Sequence, residues 1–252
     1  MKLFGSVIDL PNIETADLNR MFVLLDQNFV NVQRPIFLRD LAEKDHVIAL
    51  RDECGKLQGF STLKFFYHRS GLQSHRIAFS GDTIVSPKHW GSFELPVQIG
   101  CKMFEVYNRE PKTLLWWLLI SKGIRTFKCL PAFFFKFYPN SENIITAEIK
   151  ELMDSLGQTK FGAQFDPACG LVKPSSESYF LRQELVEADL QRRGDRLSEL
   201  FLRANPEFQK GTELLCLSQF SPENLRPLIL RMINQRQAAE VPKIGVPDLN
   251  AA

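Results

Sequence analysis

Apolar positions along the chain fall into stretches of two periods. Residues 2–9 hold Leu3, Val7 and Ile8 and run up to Pro11, which predicts a strand. From Asp17 to Val32 the apolar residues Leu18, Met21, Phe22, Leu25, Phe29 and Val32 recur at the spacing of one helix face. Pro35 to Lys44 carries Ile36, Phe37 and Leu41 in a second, shorter helical pattern. Val47 to Leu50 is continuously apolar, Arg51 to Lys56 is a turn punctuated by Gly55, and Leu57 to His68 is again strand-like, so a hairpin is expected. After a turn at Ser70 to Ser74, Ile77 to Ser86 reads as a buried strand that Pro87 stops, because proline has no N–H for the ladder. Pro87 to Ser92 is a short loop. Phe93 to Tyr107 then places Leu95, Val97, Ile99, Met103, Phe104 and Val106 close to a helical period. Thr113 to Ile120 is apolar almost throughout, the mark of a strand covered on both faces.

The second half is less regular. Ile124 to Phe137 is densely apolar, and Pro131 suggests a helix starting near it, closed by Pro139-Asn140. Glu142 to Leu156 predicts a helix with Gly157 as its stop. Phe161 to Val172 reads as a loop with a short strand at Gly170 to Val172. Tyr179 to Ala204 reads as one long helix, weakened at Gly194 and broken by Asn205-Pro206. Glu213 to Gln219 predicts a last strand and Leu225 to Gln235 a last helix. The expected class is α+β, a central mixed β-sheet flanked by helices. The expected division is a core over 1–140, a C-terminal helical extension packed on it over 141–236, and a flexible tail over 237–252.

Composition narrows the function. Among 252 residues, Lys and Arg total 31 against 29 acidic residues, so no basic surface for nucleic acid is indicated. Five scattered cysteines without a Cys-x-x-Cys pair suit reduced thiols in a cytoplasmic protein. The start lacks the long apolar region of a signal peptide, and the longest apolar run, Leu114 to Ile120, is far too short for a transmembrane segment. No His or Cys spacing suggests a metal, and neither a P-loop nor a Gly-x-Ser-x-Gly turn occurs. The unusual count is 21 Phe beside 4 Tyr, which points to an aromatic core or an apolar cavity.

The strand–loop–helix unit from Ile77 to Tyr107 is the geometry that aims free N–H groups and a positive dipole end at an anion. With the hairpin Val47 to Leu63, its Gly59-Phe60-Ser61, the strand ending Val85-Ser86-Pro87 and the strand Trp116 to Gly123, the order resembles the GNAT superfamily of CoA-dependent N-acyltransferases, over about Met21 to Tyr138. The resemblance implies that the family's fourth and fifth strands splay, that an acyl thioester lies in the gap, and that the pyrophosphate sits on the following helix N-terminus. The family's loop carries an Arg or Gln and then two glycines. Here Trp90, Phe93 and Leu95 stand at those positions, and only Gly91 and Ser92 are small. The donor is then acyl-CoA held by the helix end and Lys88, or an acyl carrier protein thioester. The expected donor-site residues are Val85, Lys88, His89, Trp90, Gly91, Ser92 and Phe93.

Aminolysis of a thioester needs a base, an oxyanion donor and a proton for the thiolate. The Val85 N–H is the expected oxyanion donor. Asp82 and His75 are candidate bases, with His89 in the loop and His46 and His68 by the hairpin as further histidines. Tyr138 is the candidate acid, the family placing such a tyrosine in the helix after its fifth strand, and Phe134 aligns there about as well. Trp116, Trp117 and Phe134, with Trp90 and Phe93, are expected to line an apolar tunnel for a medium or long acyl chain, as in fatty-acylating members that lipidate small ribosomal peptides. The expected acceptor is an amine, on a peptide side chain or a small molecule. The alternatives are an acetyl-CoA-dependent N-acetyltransferase and a non-catalytic scaffold holding an apolar ligand.

Overall fold

A computed structural model describes residues 2–140, 142–191 and 194–240. β1 (Phe4–Asp9) leads into α1 (Thr15–Asn28), a two-residue strand β2 (Phe29–Val30) and α2 (Arg34–Ala42). The helix expected to reach Val32 stops at Asn28, because Phe29 and Val30 leave it to pair with β9 (Phe180–Leu181). β3 (His46–Arg51) then pairs with both β1 and β4 (Leu57–Ser70), and β4 forms a long hairpin with β5 (Gln73–Val85). α3 (Glu94–Arg109) crosses over to β6 (Leu115–Ser121), which lies parallel to β5; the other ladders of the main sheet are antiparallel. With β7 (Phe165–Asp166), β8 (Leu171–Val172) and β10 (Glu213–Phe220), the order is β1-β3-β4-β5-β6-β10-β8-β7. The expectation of a mixed sheet flanked by helices is met.

Alternation along the strands divides the core. One face presents Ile48, Leu63, Ala78, Trp117 and Leu119 to α3 and to α9 (Pro227–Glu240). The other face carries two separate clusters. Phe60, Ala49 and Ile84 pack under α1 and α2. Ile77, Phe79, Trp116, Leu118 and Leu215 pack under α6 (Ala147–Phe161). A groove between α2 and α6 separates them.

Several local expectations change. The segment expected to be a helix around Pro131 is two short helices, α4 (Ile124–Phe127) and α5 (Cys129–Phe133), followed by extended backbone. Tyr138 and Leu217 exchange backbone hydrogen bonds at 2.8 and 2.9 Å, so pairing with β10 overrides the helical tendency. Gly157 is not a stop. It lies inside α6, where a Cβ would come within 2.5 Å of the Phe165 ring. The helix ends at Gly162, whose φ of 53° only glycine adopts freely. The expected long helix over 179–204 is β9, α7 (Gln183–Gln191) and α8 (Arg196–Ala204). Asp195 caps α8 by accepting the N–H groups of Leu197 and Ser198.

The division at residue 140 does not describe this sheet. β10 pairs with β6 along seven positions, Leu214 to Phe220, so the C-terminal part supplies an interior strand rather than a helical extension. α9 reaches Glu240, past the expected end at Gln235; residues 241–252 of the expected tail lie outside the described residues.

Candidate functional site

The parallel ladder between β5 and β6 covers only Arg76 to Ser80 against Leu115 to Leu119. Beyond it β5 follows β4 to Val85, while β6 follows β10 to Ser121. The two strands part at a bulge. Leu63 faces Ser80 and Ser61 faces Thr83, so Gly81 and Asp82 together oppose Thr62. A bulge bends its strand and re-aims a side chain, and here it turns Asp82 into the groove between α2 and α6.

Backbone parity fixes what Val85 offers. Ser86 donates its N–H to the Gln58 carbonyl at 2.8 Å and so faces β4. Neighbours alternate in an antiparallel ladder, so Val85 turns both its N–H and its carbonyl away from β4, toward the space β6 has left. The Trp90 indole N–H donates to that carbonyl at 2.8 Å. The Arg125 guanidinium stacks 3.3 Å from the centre of the Trp90 ring and is held by Asp189 at 3.2 Å. The loop thus folds back over the strand end and is latched by α7.

The start of α3 is a poor anion seat. Glu94 N–H goes to the Ser92 hydroxyl at 3.2 Å, Pro96 has no N–H, and Val97 N–H bonds the Phe93 carbonyl at 3.0 Å. Glu94 brings a carboxylate to the first turn, where the Gly5 N–H at 2.8 Å, Gln98 at 3.2 Å and Arg236 at 2.8 Å converge on it. Burial pushes this carboxyl up, but the hydrogen bonds and the Arg236 charge outweigh burial and hold it below the usual range. An open cleft of about 410 Å³ beside the helix end is lined by Lys2, Lys88, Trp90, Phe93 and Met232 among others. Lys88 and Phe93 are exposed and His89 is buried. Gly91 turns the loop with a φ of 93°.

On the groove side the charges are dense. The Asp82 carboxyl is pushed up to about 7, first by burial and then by Asp40, against the pull of Lys122 and Lys44. Part of the residue remains accessible, so the carboxyl is crowded without being sealed. Lys44, with a side chain 1% exposed, is held by the Asp40 carboxylate at 3.0 Å and by its carbonyl at 2.8 Å. Lys122 pairs with Glu213 and lies 4.4 Å over the Tyr179 ring. Lys160 lies 4.1 Å over the Phe79 ring, and burial and Lys44 push its ammonium below the ordinary lysine range. The buried Thr62 hydroxyl has no hydrogen-bond partner among the described residues. A carboxyl that titrates near neutrality can accept a proton from an amine, and the outward-facing Val85 N–H, about 10 Å along the same strand, can polarise a carbonyl.

Other expected site residues are set apart. His75 sits seven residues before Asp82 on β5, roughly 20 Å away. It is buried against Trp116, whose indole donates to it at 3.2 Å, and burial and His68 push its pKa down. Tyr138 lies beyond β6 and β10, about 14 Å from β5 at the spacing of strands, and burial pushes its phenol up. Trp116 and Trp117 are adjacent on β6 and therefore point to opposite faces, so they cannot line one tunnel. Trp117 packs with Phe133 at 5.3 Å and Phe134 at 5.7 Å, and Phe134 is 0% exposed. These rings fill the core with one another. Lys44, Thr62, Lys160 and the Ser92–Glu94 cap are additions that sequence reading missed. Gly81 before Asp82 inside a strand pattern was the available signal for a bulge.

No protein-family model matches the chain, and no curated protein does. Among solved structures it is similar to a probable N-acyltransferase from Enterococcus faecalis, at 13% identity over 54% of this chain and 33% of that one, TM-score 0.40. It is similar to an Escherichia coli GNAT family N-acetyltransferase in complex with CoA, at 16% identity over 48% and 65%, TM-score 0.34. A Trypanosoma brucei acetyltransferase matches at 16% identity over 52% and 87%, TM-score 0.34. The chain thus spans a third of the Enterococcus protein and just under two thirds of the Escherichia one. At such identities and scores, fold and chemistry rest on this chain's own residues.

Proposed function

We propose that this chain is an N-acyltransferase that moves an acyl group from a thioester to an amine. The observation that carries the reading is the parting of β5 from β6 after Ser80 and Leu119, which leaves the Val85 N–H and Asp82 on the β5 side of the gap, both beyond the end of the ladder. The thioester carbonyl accepts from the Val85 N–H. Asp82, about 10 Å along the strand, takes the proton of the incoming amine through a water. The C–N bond forms, the C–S bond breaks, and the thiolate leaves and is protonated by solvent.

The Glu94 N–H committed to Ser92, the missing N–H of Pro96 and the Glu94 carboxylate at the start of α3 disfavour a pyrophosphate. They favour a donor whose thioester arm is borne by an acyl carrier protein over free acyl-CoA. Trp90 occupies the Val85 carbonyl, so the arm displaces the indole as it enters. The acyl group is short on this reading, since the rings expected to line a long tunnel pack on one another. The experiment is incubation with acetyl and longer acyl thioesters, on CoA and on carrier protein, with a panel of amines. Free thiol and the mass of the amide product are measured. Thiol release coupled to amide formation is expected; none with any donor and acceptor overturns the proposal.

A further inference from the structure

The charge balance of the groove singles out one ammonium. Lys44 is neutralised by Asp40, and Lys64 pairs with Asp45 at 2.9 Å. Lys160 has no carboxylate within ion-pair distance among the described residues. It projects from α6 over Phe79, and Lys44 approaches the same ring from α2 at 5.8 Å. A partly buried ammonium held only by a ring face is under-satisfied: a cation–π contact is weaker than a charge-assisted hydrogen bond to a carboxylate. The orphaned Thr62 hydroxyl lies on the Lys44 side of the same region. A Cβ on Gly81 would come 2.5 Å from Thr62 Oγ1 and 2.9 Å from Lys44 Cε, which places hydroxyl, lysine and bulge together.

We propose that Lys160 and Phe79 form a carboxylate subsite of the acceptor cleft, selecting amines that carry an acid group several bonds from the nitrogen. The proposal rests on the acyltransferase reading with Asp82 facing the amine. Phe79 and Asp82 are three residues apart on β5, roughly 10 Å, so the two ends of an ω-amino acid reach Asp82 and Lys160 where an α-amino acid falls short. The Phe79 ring, 6% exposed beneath Lys160 and Lys44, positions the ammonium, and the acid end of the acceptor supplies the counter-charge that the fold leaves out.

The test compares ε-aminocaproate with n-hexylamine as acceptors, which share chain and amine and differ in the acid. The kcat/KM ratio is expected to favour aminocaproate by about tenfold or more, the scale of one charge-assisted hydrogen bond. Lys160→Gln should bring the ratio toward one, and Lys160→Arg should keep it. A ratio near one in the wild type, or a ratio unmoved by Lys160→Gln, overturns the subsite and leaves the acyltransferase reading standing. Transfer to neither amine is the failure of that reading instead. Caproate, which has no amine, then decides the subsite by NMR titration: binding lost in Lys160→Gln supports it, and equal or no binding in both overturns it.

Discussion

Asp82 is the residue on which the proposed chemistry turns. Its carboxyl, ordinarily protonated only in acid, is held at about 7 by burial and Asp40. Transfer should therefore rise with pH through about 7, as the base ionises. Asp82→Asn should remove that inflection and lower turnover by about 10²-fold or more. The same shift has a sign in stability. A carboxyl whose folded pKa lies above its unfolded one stabilises the fold below about pH 4 and loses that contribution as pH climbs through about 7. Asp82→Asn should thus flatten the difference in Tm between pH 5 and pH 8, which thermal melts at the two pH values measure. As a candidate this residue was legible in the sequence, a carboxylate three positions before a strand end. Its partners were not. Lys44, just past the end of α2, and Lys160, in α6, lie some forty and eighty positions away, and nothing local in their stretches separates a groove lysine from a solvated one. His75, which the sequence places just before Asp82's strand, proves to lie on β5 seven residues from Asp82 and buried against Trp116, away from the gap.

Elements decide how the site is built. The bulge at Gly81 and Asp82 needs its glycine: Gly81→Ala should cost about 1–3 kcal/mol in chemical denaturation, the usual range for a forced small-to-large change, because the Thr62 hydroxyl and the buried Lys44 side chain both stand in the way. The loop after β5 makes a second prediction. Trp90→Phe keeps a ring under Arg125 but frees the Val85 carbonyl. It should lower the donor KM several-fold, about the worth of one hydrogen bond, while lowering Tm; an unchanged KM would argue that the donor arm does not use that carbonyl. Periodicity gave the strands and helices of the first half, where each element packs by its own apolar face. It failed where tertiary pairing competed: Phe29 and Val30 were drawn out of α1, Phe134 was drawn to Leu225 and Tyr138 to Leu217 of β10. Gly157 misled for a related reason, since the closeness of Phe165 is invisible from the helix itself.

At the scale of the whole molecule the chain is one sheet assembled from both ends of the sequence. The class, a mixed sheet with helices on both faces, could be read from the order of elements. The strand order could not, because β10 enters beside β6 after a long excursion, and no short-range pattern specifies so distant a partner. A fragment ending at residue 140 should therefore show no cooperative unfolding by circular dichroism, having lost the ladder that covers β6. The segment between β8 and α7 also reaches back to the first helices. Arg182 donates to the Asp26 carbonyl at 2.7 Å, Asn31 to the Ser178 carbonyl at 2.8 Å, and Arg39 pairs with Glu177. The central claim is that the gap between β5 and β6 transfers acyl groups to amines with Asp82 as base. It is tested most directly by mixing the full chain with carrier-bound and CoA acyl thioesters and an amine panel, and following amide product and free thiol together. The account predicts equal amounts of both from the wild type and about 10²-fold less from Asp82→Asn; product that forms as fast without the carboxylate, or no product from any donor, would contradict it.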